Sequence, residues 1–293
     1  MHVSSLSVPL STGSIMNAEP SQPVPDVVHA TSGVDQPVDP TPSETSSTVV
    51  AWRLPLWLLT LAAGLISGLI SWAHGEVAFV KFRAEREMVY PENYRLLSGY
   101  QKQSVTSQVV GVAQQVAERK KSAASFGFLG LVLGMSLGLV GGWMGGSLRK
   151  AVSGAIGGAL AGAAAGGGVS WVAVPLFFRF NDLDSGMIFL FMTHAAIFIA
   201  VGGACGLALG LGMADRKATA GALFGGLMGG FIGTIALETV YSLTFPLMRT
   251  LEPIASEPTP RLLTYLCVAV CTALFAGLAT GARAGKPVPK PAP

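Results

Sequence analysis

The chain has 293 residues, of which 51% are hydrophobic and only 12% charged, with 37 glycines and a mean hydropathy of +0.54. Soluble domains carry about 25% charged residues, so this composition speaks against a soluble globular protein. The net charge of +3 comes without any basic run interleaved with aromatics, which leaves out nucleic acid as a partner. Cys205, Cys267 and Cys271 all fall in apolar segments and form neither a disulfide scaffold nor a CxxC motif.

Residues 1–50 are rich in Ser, Thr and Pro, carry Glu19, Asp26, Asp35, Asp39 and Glu44, and contain no Lys or Arg. Such a segment cannot bury enough apolar surface to offset its ordering, so it is expected to be a disordered acidic tail. It lacks the basic and apolar regions of a signal peptide, and Met16 offers an alternative start. The domain proper is expected over 51–284, with a Pro/Lys tail at 285–293.

Six apolar segments follow, at about 54–73, 125–146, 151–178, 187–213, 218–247 and 262–282, each near or above the ~20 residues that cross a bilayer. Trp57, Trp72, Trp143, Trp171 and Tyr241 mark several of their ends, an enrichment that spanning helices show at the two interfaces. The fold class is therefore an all-α membrane protein, a six-helix transmembrane bundle. Between the first two spans, 74–123 is the one sizeable extramembrane region. Val105, Val109, Val112 and Val116 recur there at helical spacing, which predicts a helix from about 101 that runs on into the second span. A second helical piece is expected at about 76–89, ending before Pro91. The region reads as a docking surface or interfacial helix, or equally as a solvated helical hairpin packed on itself.

The second span contains GLVLGMSLGLVGGWMGG, which sets Gly130, Gly134, Gly138, Gly142 and Gly146 four residues apart. Each interior glycine costs a helix in water about 1 kcal/mol relative to alanine. In a bilayer the backbone must bond internally in any case, and small residues let helices approach closely enough to pack. The same spacing recurs as Gly154, Gly158, Gly162 and Gly166 in span three and Gly202, Gly206 and Gly210 in span four. It returns as Gly221, Gly225, Gly229 and Gly233 in span five, with shorter rows in spans one and six. This resembles the glycine-zipper pattern of tightly packed or oligomerising membrane helices, a packing motif shared by unrelated proteins.

RKAVSGAIGG at 149–158 reappears as RKATAGALFGG at 216–226 with one inserted residue, and PLFFR at 175–179 is echoed by PLMR at 246–249. Spans two and three thus read as a duplicate of spans four and five, a parallel repeat about an axis along the membrane normal. The end of span six, LFAGLATGARAGK, resembles LALGLGMADRKA and suggests half of a third copy. Arg149-Lys150, Arg216-Lys217 and the basic C-terminal tail lie on one side, which the positive-inside rule makes cytoplasmic together with both termini.

His194 and Glu238 are the ionisable residues that stand out within the spans, and intramembrane ionisable groups are functional candidates. They lie symmetrically about a turn centred on Arg216, so an antiparallel hairpin is expected to hold them at one level. The alternative satisfies each separately, His194 by a backbone carbonyl and Glu238 by Thr234 or Ser242. Cys267 and Cys271 read as packing residues, and Asn181, Asp182 and Asp184 as a solvated acidic turn. No HExxH, P-loop or Rossmann pattern occurs. Ser67-Gly68 and Ser153-Gly154 invite comparison with intramembrane hydrolases, but Ser153 lies at the wrong depth for His194 and Ser-Gly is ordinary in a glycine-rich helix. The expectation is a non-enzymatic scaffold or assembly subunit, with no cofactor or metal, whose partners are the lipid bilayer and identical or other membrane subunits met through glycine faces or 74–123. The alternative is a small transporter or channel with a polar site at His194 and Glu238.

Overall fold

The computed structural model describes residues 55–180, 186–245 and 252–284, all within one unit, Trp52–Pro293. The expected acidic tail at 1–50, the tail at 285–293, the Asn181–Asp184 turn and the PLMR echo lie outside the described residues. Those described form α1 (Leu56–Lys81), two short 3-10 turns (Ala84–Glu87 and Glu92–Leu96), α2 (Gly99–Met144), α3 (Leu148–Phe180), α4 (Gly186–Met213), α5 (Arg216–Thr244) and α6 (Pro258–Ala284). No strand occurs among them. All six helices are long and apolar enough to cross a bilayer, so the chain is a multi-pass, all-helical membrane protein.

The expected helix from about 101 is present: α2 is continuous from Gly99, where Ser98 and Gln101 form a capping box, through the second span. Its 46 residues reach about 69 Å, twice the hydrocarbon thickness, so its first half stands clear of the bilayer. The expected separate helix at 76–89 is not there. α1 itself continues to Lys81, because its last turns still have a surface to cover: Gly75 meets the Tyr265 ring, Ala78 is buried, and Phe79 lies under Arg261. Residues 82–98 then hold only the two 3-10 turns.

Two tight turns close the hairpins. Gly146 (φ 73°) ends the α2–α3 turn and Ala214 (φ 56°) the α4–α5 turn, after which Asp215 caps α5 by accepting from the Lys217 N–H at 3.0 Å. In α3, Pro175 has no N–H to offer the carbonyl of Trp171. Arg119 of α2 supplies the missing donor, its Nε lying 3.0 Å from that carbonyl while its guanidinium stacks 3.8 Å over the Trp171 ring.

Inner and outer helices alternate. Side chains of α2, α4 and α6 fill the centre, with Leu129, Leu133, Leu137, Ile197, Val201, Leu209 and Val268 fully buried. Of the outer helices, α3 packs on α2 and α4, α5 on α4 and α6, and α1 on α6 and α2. Glycines sit where backbones meet. A methyl group added at Gly130, Gly134 or Gly138 would strike the backbone of Gly162, Gly158 or Gly154, and one at Gly142 would strike Ala151. Gly202 and Gly206 meet Gly226 and Ala222 in the same way, whereas Gly225 and Gly229 turn to the backbone of α6 at Phe275 and Cys271. Gly221 is buried on α5.

A candidate polar site at one mouth of the bundle

The α4–α5 hairpin brings His194 and Glu238 together. Their face-to-face placement follows from the glycine contacts beneath them: Phe198, Gly202 and Gly206 on α4 lie against Gly230, Gly226 and Ala222 on α5, so the two helices run in fixed antiparallel register. His194 Nδ1 is 3.0 Å from Glu238 Oε1, and His194 Nε2 is 3.0 Å from the carbonyl oxygen of Pro253. The ring stacks on Phe198 at 5.4 Å and its side chain is almost fully buried, while the carboxylate is 28% exposed. Separate satisfaction of Glu238 is not what the geometry gives. Thr234 and Ser242 turn their hydroxyls back to the carbonyls of Gly230 and Glu238 on their own helix.

The donor count constrains the chemistry. A carbonyl only accepts, so Nε2 carries a hydrogen toward Pro253. Between Nδ1 and Oε1 there is then one proton, written either as an imidazolium against a carboxylate or as a neutral ring accepting from a carboxylic acid. In either form the pair is satisfied and the site as a whole is neutral.

An ion pair not singled out from the sequence lies at the same mouth. Arg261 at the start of α6 is 4% exposed and donates to both oxygens of Glu76, Nε to Oε1 at 2.8 Å and Nη2 to Oε2 at 2.6 Å. Its Nη1 donates to the carbonyls of Ala255 and Ser256 at 3.0 and 2.7 Å. Its guanidinium lies 4.0 Å from the centre of the Phe79 ring, which Lys121 also approaches at 4.5 Å, and Lys121 in turn pairs with Glu118. A bidentate, doubly carbonyl-bound arginine is among the stronger polar arrangements a protein makes. These residues read in the sequence as charges beside the spans, and 185 residues separate Arg261 from Glu76, so no local spacing announces the pair.

His194 and Arg261 both hold the segment leading into α6. Pro253, Ile254 and Ala255 are buried under the mouth although they belong to a loop. Phe126, Arg261, Thr264 and Tyr265 enclose with them a cavity of about 10 Å³, the room of a single water molecule. A larger groove of about 180 Å³ runs between α3 and α4 along Ser153, Gly157, Ala161, Ala204 and Leu207. Neither reaches His194 or Glu238.

The remaining candidates are placed as follows. Ser67 donates to Ser136, Ser153 to the carbonyl of Lys150, and neither meets His194. Cys267 and Cys271 are half-buried against α5, and Cys205 is fully buried. Among the described residues no group of three or more His, Cys, Asp or Glu could hold a metal ion. Comparison with family models, curated proteins and solved structures gives no match to this chain.

Proposed function

We propose that this multi-pass membrane protein is a non-enzymatic scaffold or assembly subunit, built by glycine-zipper packing of a duplicated hairpin, with both termini in the cytoplasm. The observation that carries the reading is the filling of the centre. Leu129, Leu133, Leu137, Val201, Leu209 and Val268 are fully buried, so apolar side chains fill most of the centre. Most of the glycines singled out lie against the chain's own helices, where they fix its shape. Contact with identical or other subunits falls to what remains outward, such as Gly157 and Gly168 on α3, where an added methyl group would meet no neighbouring helix, and the extramembrane half of α2.

The second reading, a small transporter, is favoured by one observation, the 3.0 Å contact between His194 Nδ1 and Glu238 Oε1. One reconstitution separates the two. In proteoliposomes under an imposed potential and pH gradient, the scaffold should pass protons no faster than protein-free vesicles, and copies labelled with donor and acceptor dyes should show transfer that Gly157→Leu lowers. Proton flux abolished by Glu238→Gln would replace the scaffold with the transporter. For orientation, single cysteines at Ser147 and Ala214 should resist impermeant maleimide on intact cells while one at Glu257 reacts; the reverse pattern would invert the topology.

A further inference from the structure

The helix contacts repeat with a constant shift. Gly142 meets Ala151, Gly138 meets Gly154, Gly134 meets Gly158 and Gly130 meets Gly162. Gly210 meets Thr219, Gly206 meets Ala222, Gly202 meets Gly226, and Gly230 meets Phe198. Every partner in the second set stands 68 residues beyond its counterpart, from Gly142 to Gly210 and from Ala151 to Thr219. The left-handed turn residues obey the same shift, Gly146 to Ala214. The contact register therefore contains no inserted residue; the Arg-Lys pair simply falls one position earlier in the second hairpin.

The pattern occurs a third time, between the last helix and the first. Gly226 meets the carbonyl of Gly202 and the Cα of Gly206; Gly64 on α1 meets the carbonyl of Ala269 and the side chain of Ala273 on α6. Gly230 meets the carbonyl of Phe198, and Gly68 that of Tyr265; Gly210 meets the Cα of Thr219, and Gly277 that of Trp57. In this frame α6 follows α4 by 67 residues (Gly210 to Gly277) and α1 precedes α5 by 162 (Gly226 to Gly64). The alternation of inner and outer helices closes into a ring under the same rule. Equivalent inner positions are buried in triplets: Leu133, Val201 and Val268, then Leu137, Cys205 and Thr272.

The shift also relates the two polar pairs. His194 corresponds to Arg261, and Glu238 to Glu76. The third equivalent pair is Phe126 and Ser170, which carries no charge. All three inner positions meet the same segment: His194 holds the Pro253 carbonyl, Arg261 the carbonyls of Ala255 and Ser256, and Phe126 lines the small cavity beneath them. We propose that the bundle is a threefold repeat whose third hairpin is α6 with α1, and that His194–Glu238 and Arg261–Glu76 are equivalent clamps holding Pro253–Ser256 as a plug across the axis. Each clamp consists of a nitrogen donor on an inner helix, His194 or Arg261, aimed by the carboxyl group of Glu238 or Glu76 on the outer helix paired with it. This assignment stands whether the protein acts as scaffold or transporter.

The plug can be followed with a cysteine at Ile254, which is 5% exposed. In full-length protein in lipid nanodiscs, with the three native cysteines replaced by alanine, Ile254→Cys should react slowly with an impermeant maleimide. His194→Ala and Arg261→Ala should each accelerate labelling at least tenfold, and Glu238→Gln and Glu76→Gln should do so to a lesser degree. A parallel reporter, Ala208→Cys in the inner half of α4, must stay protected. Where it does not, the variant has unfolded and His194→Gln or Arg261→Lys takes its place. Fast labelling with both clamps intact would overturn the plug, as would slow labelling with both broken. Acceleration by one clamp alone would overturn their equivalence.

Discussion

His194 and Glu238 are 44 residues apart and share one hydrogen bond of 3.0 Å across the α4–α5 hairpin. The bond is oriented from its far side: the Pro253 carbonyl fixes the hydrogen on Nε2, so Nδ1 and Oε1 have a single proton between them. Removing Glu238 leaves the buried His194 Nδ1 without its partner, and removing His194 leaves the half-buried Glu238 carboxyl without its own. His194→Ala and Glu238→Ala should therefore each lower stability by about 1–3 kcal/mol in detergent. The double replacement should cost about 1–2 kcal/mol less than the two losses added, as residues in one network do. Strict additivity in that cycle would show that the contact contributes nothing.

The common level of this pair was legible in the sequence, because two residues equidistant from a short turn stand side by side in an antiparallel hairpin; that they share a face, which the i+4 rows give only approximately, comes from the packing of α4 on α5. So were the six spans, since segments such as 187–213 contain little but apolar residues and His194. The long α2 was legible from the valine stripe that runs into its apolar half. The partner of His194 Nε2 was not, because the path of Pro253–Ser256 is set by tertiary contact and the segment has no periodicity. Arg261 and Glu76 stayed hidden for a related reason. Each follows or precedes an apolar run by a few residues, where charged groups are ordinary, and only the meeting of α1 with α6 joins them. The end of α1 was misplaced because Trp72 reads as an interface marker. The helix in fact continues through Gly75, Ala78 and Phe79, whose contacts come from α2 and α6.

The glycine contacts make a graded prediction. Gly138→Leu would drive a side chain into the backbone of Gly154 and Ala155, which cannot retreat without separating α2 from α3. A loss of about 3 kcal/mol, the upper range for overpacking, is expected in a detergent thermal-unfolding assay. Leu139→Ile one residue further on should change little, since Leu139 is 41% exposed on the outer surface. Equal tolerance of the two changes would mean that the helices do not rely on this close approach.

Pro175 and Arg119 give a prediction about backbone satisfaction. The carbonyl of Trp171 loses its helical donor to Pro175 and accepts from Arg119 instead. Pro175→Ala restores an N–H four residues on, so the carbonyl no longer depends on α2. Arg119→Ala should therefore cost about 1 kcal/mol more in the native background than in Pro175→Ala, with the stacking on Trp171 lost in both. A common cost in the two backgrounds would indicate that the arginine acts through the ring alone.

Ala214 carries the last prediction, which joins local strain to the repeat. It has a φ of 56°, in the region where a Cβ crowds its own backbone, and its counterpart in the α2–α3 turn, Gly146, has a φ of 73°. One hairpin thus places glycine where the turn requires it, and the other tolerates alanine. A left-handed conformation costs a non-glycine residue roughly 1–2 kcal/mol, offset in part by the greater freedom that glycine loses on folding. Ala214→Gly should raise stability by about 0.5–1 kcal/mol, and Gly146→Ala should lower it by a similar amount, because the two turns need the same backbone. Both changes read out as shifts in thermal midpoint in one detergent, with Asp215, the cap of the following helix, left in place. If Ala214→Gly destabilises while Gly146→Ala is neutral, the two turns differ in conformation and the constant shift does not extend to the hairpin tips.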